Sequence, residues 1–164
     1  YIKRLTHVSK VAIIGSGDAA FDYALNLALN HKIQSTIFTR SEKYSALKLL
    51  VEKAKNEPLI DILPCHSMTA IKETSKGVVL TFDAPHGIKN FECDALLAAV
   101  GRKPNLKLLA PGLNFGELNT EGASEIPGLY IAGDIRRGKF RQLSIAIGDG
   151  VASAMAAAEY IEKL

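Results

Sequence analysis

Val11-Ala12-Ile13-Ile14-Gly15-Ser16-Gly17-Asp18-Ala19-Ala20 is the stretch that decides the fold. Its first four residues form a short, unbroken apolar run rich in β-branched side chains, as expected of a strand buried on both faces of a parallel sheet. A glycine turn follows at once. Over 19–30 the apolar residues Ala20, Tyr23, Ala24, Leu27 and Ala28 then recur with helical spacing, and Gln34–Phe38 reads as a second strand. Strand, glycine turn, helix and strand together make a βαβ unit.

Gly15, Gly17 and Ala20 fit G-x-G-x-x-G/A, and each position has a steric reason to be small. Gly15 permits the tight turn out of the strand, Gly17 lets backbone N–H groups approach a pyrophosphate, and Ala20 lets the helix lie close on the sheet. The anion would meet the positive end of the helix dipole. The whole turn, Gly15, Ser16, Gly17, Asp18, Ala19 and Ala20, is therefore the candidate dinucleotide-binding segment. Asp18 within it reads as a helix-start residue, because its charge would repel a phosphate. The alternative is a glycine turn with a structural role alone.

The end of the second strand selects between cofactors. An acidic residue there accepts hydrogen bonds from the ribose 2′-hydroxyl of NAD, whereas a basic one accommodates the 2′-phosphate of NADP. The sequence offers Thr39-Arg40-Ser41 with Lys43 close by, near the ~20-residue offset expected for the ribose-reading position. Arg40 and Lys43 thus favour NADPH. In the competing reading they belong to a solvated loop and Glu42 reads a ribose.

Farther along, 44–56 carries a second helical pattern and 59–63 a third strand. The texture then shifts to period-two stretches at 68–73, 78–82 and 88–93, separated by turn-forming residues, which predict an antiparallel β-meander. The stretch 95–100 returns to the buried-strand type, 106–125 is mostly connection, 129–132 reads as one more buried strand, and 144–164 is an alanine-rich helix. The expected class is α/β, a Rossmann-like parallel sheet with helices on one face and the meander on the other, a three-layer ββα arrangement.

Composition narrows the function classes. A hydrophobic share of 48% is ample for a packed core. Net charge is only +3, and the basic residues are spread along the chain apart from a cluster at 136–141, so no nucleic-acid footprint follows. No apolar run approaches the ~20 residues needed to cross a bilayer, and Tyr1-Ile2-Lys3-Arg4 leads into no signal-peptide core. The expectation is a cytoplasmic protein away from membranes, and a chain cut from something longer, since it starts without Met. Cys65 and Cys93 lie in unrelated segments without C-x-x-C spacing, and Cys65-His66 has no second ligand pair to complete a metal site.

Two further segments carry a resemblance. Ala98-Ala99-Val100-Gly101-Arg102-Lys103-Pro104-Asn105 resembles the ATG-R-x-P-N crossing strand of the two-dinucleotide flavoproteins. Ile126-Pro127-Gly128-Leu129-Tyr130-Ile131-Ala132-Gly133-Asp134 resembles their PGLYAAGD segment, and Arg141-Gln142 before an alanine-rich helix resembles the thioredoxin reductase branch. The resemblance implies an NAD(P)H-binding domain over 1–100 and the returning C-terminal part of an FAD domain over 101–164, whose N-terminal unit is not in this sequence. It implies cofactor contacts at Gly101 and Arg102, at Gly133 and Asp134, with Asp134 on the FAD ribityl chain, and at Arg141 and Gln142 near the flavin. Structural alternatives remain: Asp134 capping a turn, and Arg136, Arg137, Lys139 and Arg141 forming a solvated loop. It also implies NADPH and FAD as cofactors, a small redox protein such as thioredoxin as partner, and a homodimer when complete. No residue of this chain is a candidate for catalysis. The C-x-x-C pair and the FAD glycine turn of thioredoxin reductases have no counterpart here, and of their H-R-R-x-x-x-R motif only Arg40 and Lys43 do. A ferredoxin–NADP reductase on the same scaffold, with ferredoxin as partner, and a non-catalytic dinucleotide-sensing module are the competing uses.

Overall fold

The computed structural model describes residues 7–103, 117–138 and 140–164. The chain divides into two units, Tyr1–Gly101 and Arg102–Leu164. In the first, chain order is β1 (Lys10–Ile14), α1 (Asp18–His31), β2 (Gln34–Phe38), α2 (Lys48–Lys55), β3 (Ile60–Leu63), β4 (Ser67–Thr74), β5 (Gly77–Ala84), β6 (Gly87–Cys93) and β7 (Ala95–Ala98). Four strands form a parallel sheet in the order β3-β2-β1-β7, with Ile13 beside Ile37 on one side and Leu97 on the other. The antiparallel meander is β4-β5-β6.

Alternation along β1 assigns the layers. Val11 and Ile13 pack with Ala20, Phe21, Ala24 and Leu27 of α1 and with Val51 and Ala54 of α2. Ala12 points the other way, into a second cluster with Phe38, Leu80, Phe82 and Cys93, which joins the sheet to the meander. Phe38 stacks on Phe82 with ring centroids 4.1 Å apart and meets Phe91 edge-on. Fully burying side chains of this size stabilises by about 1.5–3 kcal/mol each, so β1 and β2 anchor both layers. The ββα expectation agrees with this architecture.

α1 ends in a left-handed residue, Lys32 (φ +57°), whose N–H donates to Ala28 O while the Ile33 N–H donates to Leu27 O. This is a Schellman ending built without glycine. At the same edge of the sheet, where β1, β2 and β7 begin, Asp94 between β6 and β7 accepts hydrogen bonds from Ser9 N, Lys10 N and Ser9 Oγ at 2.7–2.9 Å. These bonds hold its carboxyl below the usual carboxylate range.

The second helix is shorter than the 44–56 expected. Ser45 N and Ala46 N both donate to Ser16 O, and Leu47 N donates to the Asp18 carboxylate, so 45–47 lie bonded to the glycine turn and the helix opens after them, at Lys48. Tyr44 itself packs edge-on against Phe21.

Among its described residues, the second unit has a 3-10 turn at Gly133–Ile135 and the helix α3 (Leu143–Ile161). The buried strand expected at 129–132 is not formed. It reduces to an isolated antiparallel bridge between Ala123 and Tyr130. Ser124 N donates to Leu129 O and Ile131 N to Gly122 O, and the segment pairs with no further strand among the described residues. No helix among the described residues is long and apolar enough to cross a membrane.

Candidate functional site

A cleft of about 650 Å³ opens at the carboxyl ends of the parallel strands. Open α/β sheets place ligands at this edge, because the turns there join strands to the positive ends of helices. Gly15, Ser16 and Gly17 after β1, Arg40 after β2, His66 after β3 and Gly101 after β7 all line it.

The two glycines of the turn differ in what they need. Gly15 has φ +149°, and a Cβ there would collide with the Ala99 carbonyl oxygen. Its own N–H donates to Phe38 O. Glycine at 15 is thus required by the close approach of β7. Gly17 has an ordinary φ of −94° and serves as the N-cap of α1, and an added Cβ would meet only Ser45 Oγ at 3.5 Å, an ordinary contact. The protein leaves room above Gly17, where α1 opens at Asp18; Ala20 N donates to Gly17 O, and the N–H groups of Asp18 and Ala19 before it have no intrahelical acceptor. That combination fits an approaching pyrophosphate.

Asp18 starts α1, as the sequence implied, yet its carboxylate is spent elsewhere, on Leu47 N at 2.7 Å at the head of α2. The partner lies across the turn, beyond any local spacing rule. Ala19 is exposed and Ala20 fully buried against the sheet.

At the end of β2, Thr39 is buried and its Oγ1 donates to Ser41 O at 2.7 Å, folding the chain so that Arg40 lines the cleft. Arg40 is exposed and has no ion-pair partner among the described residues. Glu42 and Lys43 are exposed and do not line the cleft, and no carboxylate does. In the sequence His66 has significance only as a metal ligand beside Cys65. Its position just past the end of β3, at the ligand-binding edge of the sheet, is the feature that could have identified it.

The remaining candidates lie in the second unit. Arg102 Nη1 is 3.8 Å from Asp134 Oδ2, both side chains exposed, so the pair contributes little. Arg141 Nη1 donates to Arg102 O at 2.8 Å, which brings Arg102, Asp134 and Arg141 together, and Arg141 Nε is buried without a partner among the described residues. Gly133 has φ +78°, and its N–H donates to Asp149 Oδ2. Gln142 is the exposed N-cap of α3 and makes no side-chain cap bond. Asp149 also receives Arg137 through two hydrogen bonds, from Nε and Nη2, and this guanidinium holds its carboxyl below the usual range. An unpartnered guanidinium nitrogen and an exposed Asp beside a left-handed glycine fit part of a flavin site. Cys65 and Cys93 are both free, and burial pushes the Cys93 thiol up. Among the described residues no three His, Cys, Asp or Glu side chains converge as metal ligands would.

The family described as pyridine nucleotide-disulphide oxidoreductase matches residues 3–150. The chain is similar to the thioredoxin reductase of Treponema pallidum, 34% identical over 161 residues that cover 94% of this chain and 52% of that protein. It is also similar to the ferredoxin–NADP reductase of Picrophilus torridus, 28% identical over 162 residues, 93% of this chain and 49% of the other. Among solved structures, thioredoxin reductase of T. acidophilum matches at 25% identity and a TM-score of 0.81, over 94% of this chain and 52% of its own. The chain spans about half the length of the curated relatives it matches.

Proposed function

Because the chain belongs to the pyridine nucleotide-disulphide oxidoreductase family, we propose that its first unit binds NADPH in preference to NADH. In the complete protein, hydride would pass from NADPH to FAD and on to a disulfide of a small redox protein such as thioredoxin. The observation that carries the reading is a cleft whose glycine turn has room for a pyrophosphate and whose ribose end presents Arg40, without an ion-pair partner or a lining carboxylate among the described residues. The amides at the start of α1 bind and orient the pyrophosphate, and Arg40 neutralises the 2′-phosphate. In the second unit, Gly133 would let a ligand approach the backbone, Asp134 would accept a hydrogen bond from the FAD ribityl chain, and Arg141 and Gln142 would hold the flavin. Gly101 and Arg102 belong to the segment joining the two cofactor units. The redox chemistry is the cofactors' own, and the protein's part is placement.

The relative called ferredoxin–NADP reductase supports a second use of the same scaffold, with ferredoxin in place of a disulfide substrate. A homodimer in the cytoplasm is part of the proposal for the complete protein. Titration of the chain with NADPH and NADH tests the reading at its centre. NADPH should bind more tightly, and Arg40→Glu should abolish or reverse the preference. Equal affinities, or a ratio unmoved by Arg40→Glu, would remove Arg40 from the site.

A further inference from the structure

His66 is held in a way that ordinary packing does not require. Cys65 adopts a left-handed backbone (φ +58°), which turns the chain after β3, and His66 N then donates to Thr39 O at 2.9 Å. The imidazole lies near the Phe38 and Phe82 rings, with centroids 5.7 and 5.9 Å away, and lines the cleft. Nδ1 is 2.7 Å from Pro64 O. A carbonyl oxygen only accepts, so Nδ1 carries a proton and donates it to Pro64 O. Nε2 has no partner among the described residues, and it offers a lone pair when the ring is neutral and an N–H when it is charged.

Position decides what would meet it. The glycine turn after β1 takes the pyrophosphate, the residue after β2 reads the 2′ position, and β3 is the next strand outward, with Phe38 beside Leu63 in register. Arg40 lies two residues past Phe38 and His66 three past Leu63, and these are the ionisable side chains lining the cleft. Nearby titratable groups on the other packed elements are Cys65 in the same turn and Asp83 of β5, opposite Ser67. Resting on the NADPH reading above, we propose that His66 is a second recognition residue for the 2′-phosphate, donating from Nε2 in its charged form beside Arg40. A phosphate monoester near its second ionisation carries more charge than one guanidinium balances, and a charge-assisted bond from imidazolium supplies the rest.

The test compares 2′,5′-ADP with 5′-AMP on the chain, as wild type and His66→Gln, between about pH 8 and pH 6, the window in which histidine changes charge. At the acidic end the variant should lose about tenfold in affinity for 2′,5′-ADP, the contribution of one charge-assisted hydrogen bond, and less than twofold for 5′-AMP. At the alkaline end the two proteins should converge. Comparison at each pH cancels protonation of the phosphate itself. His66→Asn provides a second substitution, and thermal melting of both variants reports whether they fold. Equal losses for both nucleotides would make His66 a contact to base or ribose and overturn the proposal. So would an unchanged variant, or a wild type whose preference for 2′,5′-ADP does not grow relative to His66→Gln as pH falls. A wild type that binds 5′-AMP but never prefers 2′,5′-ADP would defeat the NADPH reading itself, a different failure from loss of the histidine's role alone.

Discussion

Gly15 and Gly17 occupy one turn and would look equivalent in any pattern of small residues, yet they answer to different demands. Gly15→Ala puts a methyl group against the Ala99 carbonyl at a left-handed backbone, so it should destabilise the chain by about 2 kcal/mol or more, read as a lower melting temperature. Gly17→Val should leave melting nearly unchanged, since the added Cβ meets only Ser45 Oγ, and should abolish NADPH binding. Calorimetry and a binding titration on the same preparations separate the two. Unfolding of Gly17→Val would return that glycine to a purely structural role. The fingerprint was legible because steric demands on a phosphate turn appear as residue size at fixed spacing. Asp18 was only half legible, since its acceptor role depends on Leu47, which the fold rather than the local sequence brings near. His66 was hidden because one histidine carries no spacing at all.

Elements were most readable where periodicity and burial coincide. β1, α1 and β2 have apolar patterns that match the faces they bury, and β5 buries Leu80 and Phe82 in alternation, whereas β4 is exposed throughout. The start of α2 was not readable, because the bonds that displace it run to Ser16 and Asp18 in another element. α1 ends at Lys32 in a conformation that favours glycine, so Lys32→Gly should raise stability by about 1 kcal/mol, measured as a shift in the denaturant midpoint. A loss of stability would mean that the lysine side chain contributes more than its backbone costs. In the second unit, Asp149 ties α3 to the turn at Gly133 and to Arg137. Its carboxyl is depressed in the folded state, so this contribution is fully present above the ordinary carboxylate value of about 3.9 and is lost as pH falls through the lower folded value. Acid titration followed by helical circular dichroism should show that loss below about pH 4 in the wild type. Asp149→Asn should be less stable at neutral pH and lack this part of the acid dependence. Parallel acid curves would remove Asp149 from the account.

At the scale of the molecule the two units were unequally legible. In the first, sequence patterning, layer order and cleft agree. In the second, α3 buries the polar Asp149 and Ser153 while Leu143, Ile147, Val151 and Met155 are all more than half exposed, so its apolar character did not report its inner face. Burial there follows hydrogen bonds to Gly133, Arg137 and Glu121, which no hydrophobic period encodes. The chain carries one G-x-G-x-x-G/A unit, and that unit is followed by Arg40, whereas an FAD ribose calls for an acidic residue at this position. A flavin needs a strand, glycine turn and helix end of its own. The purified chain should therefore be colourless and catalyse no NADPH-dependent reduction unaided, since Asp134 and Arg141 alone cannot offset the cost of ordering so large a ligand. The most direct test of the central claim is a competitive calorimetric titration of the purified chain with NADPH and FAD: the account predicts one NADPH bound per chain in the cleft above Gly17 and no displacement by FAD, whereas FAD taking that site, or flavin already filling it on purification, would contradict the assignment.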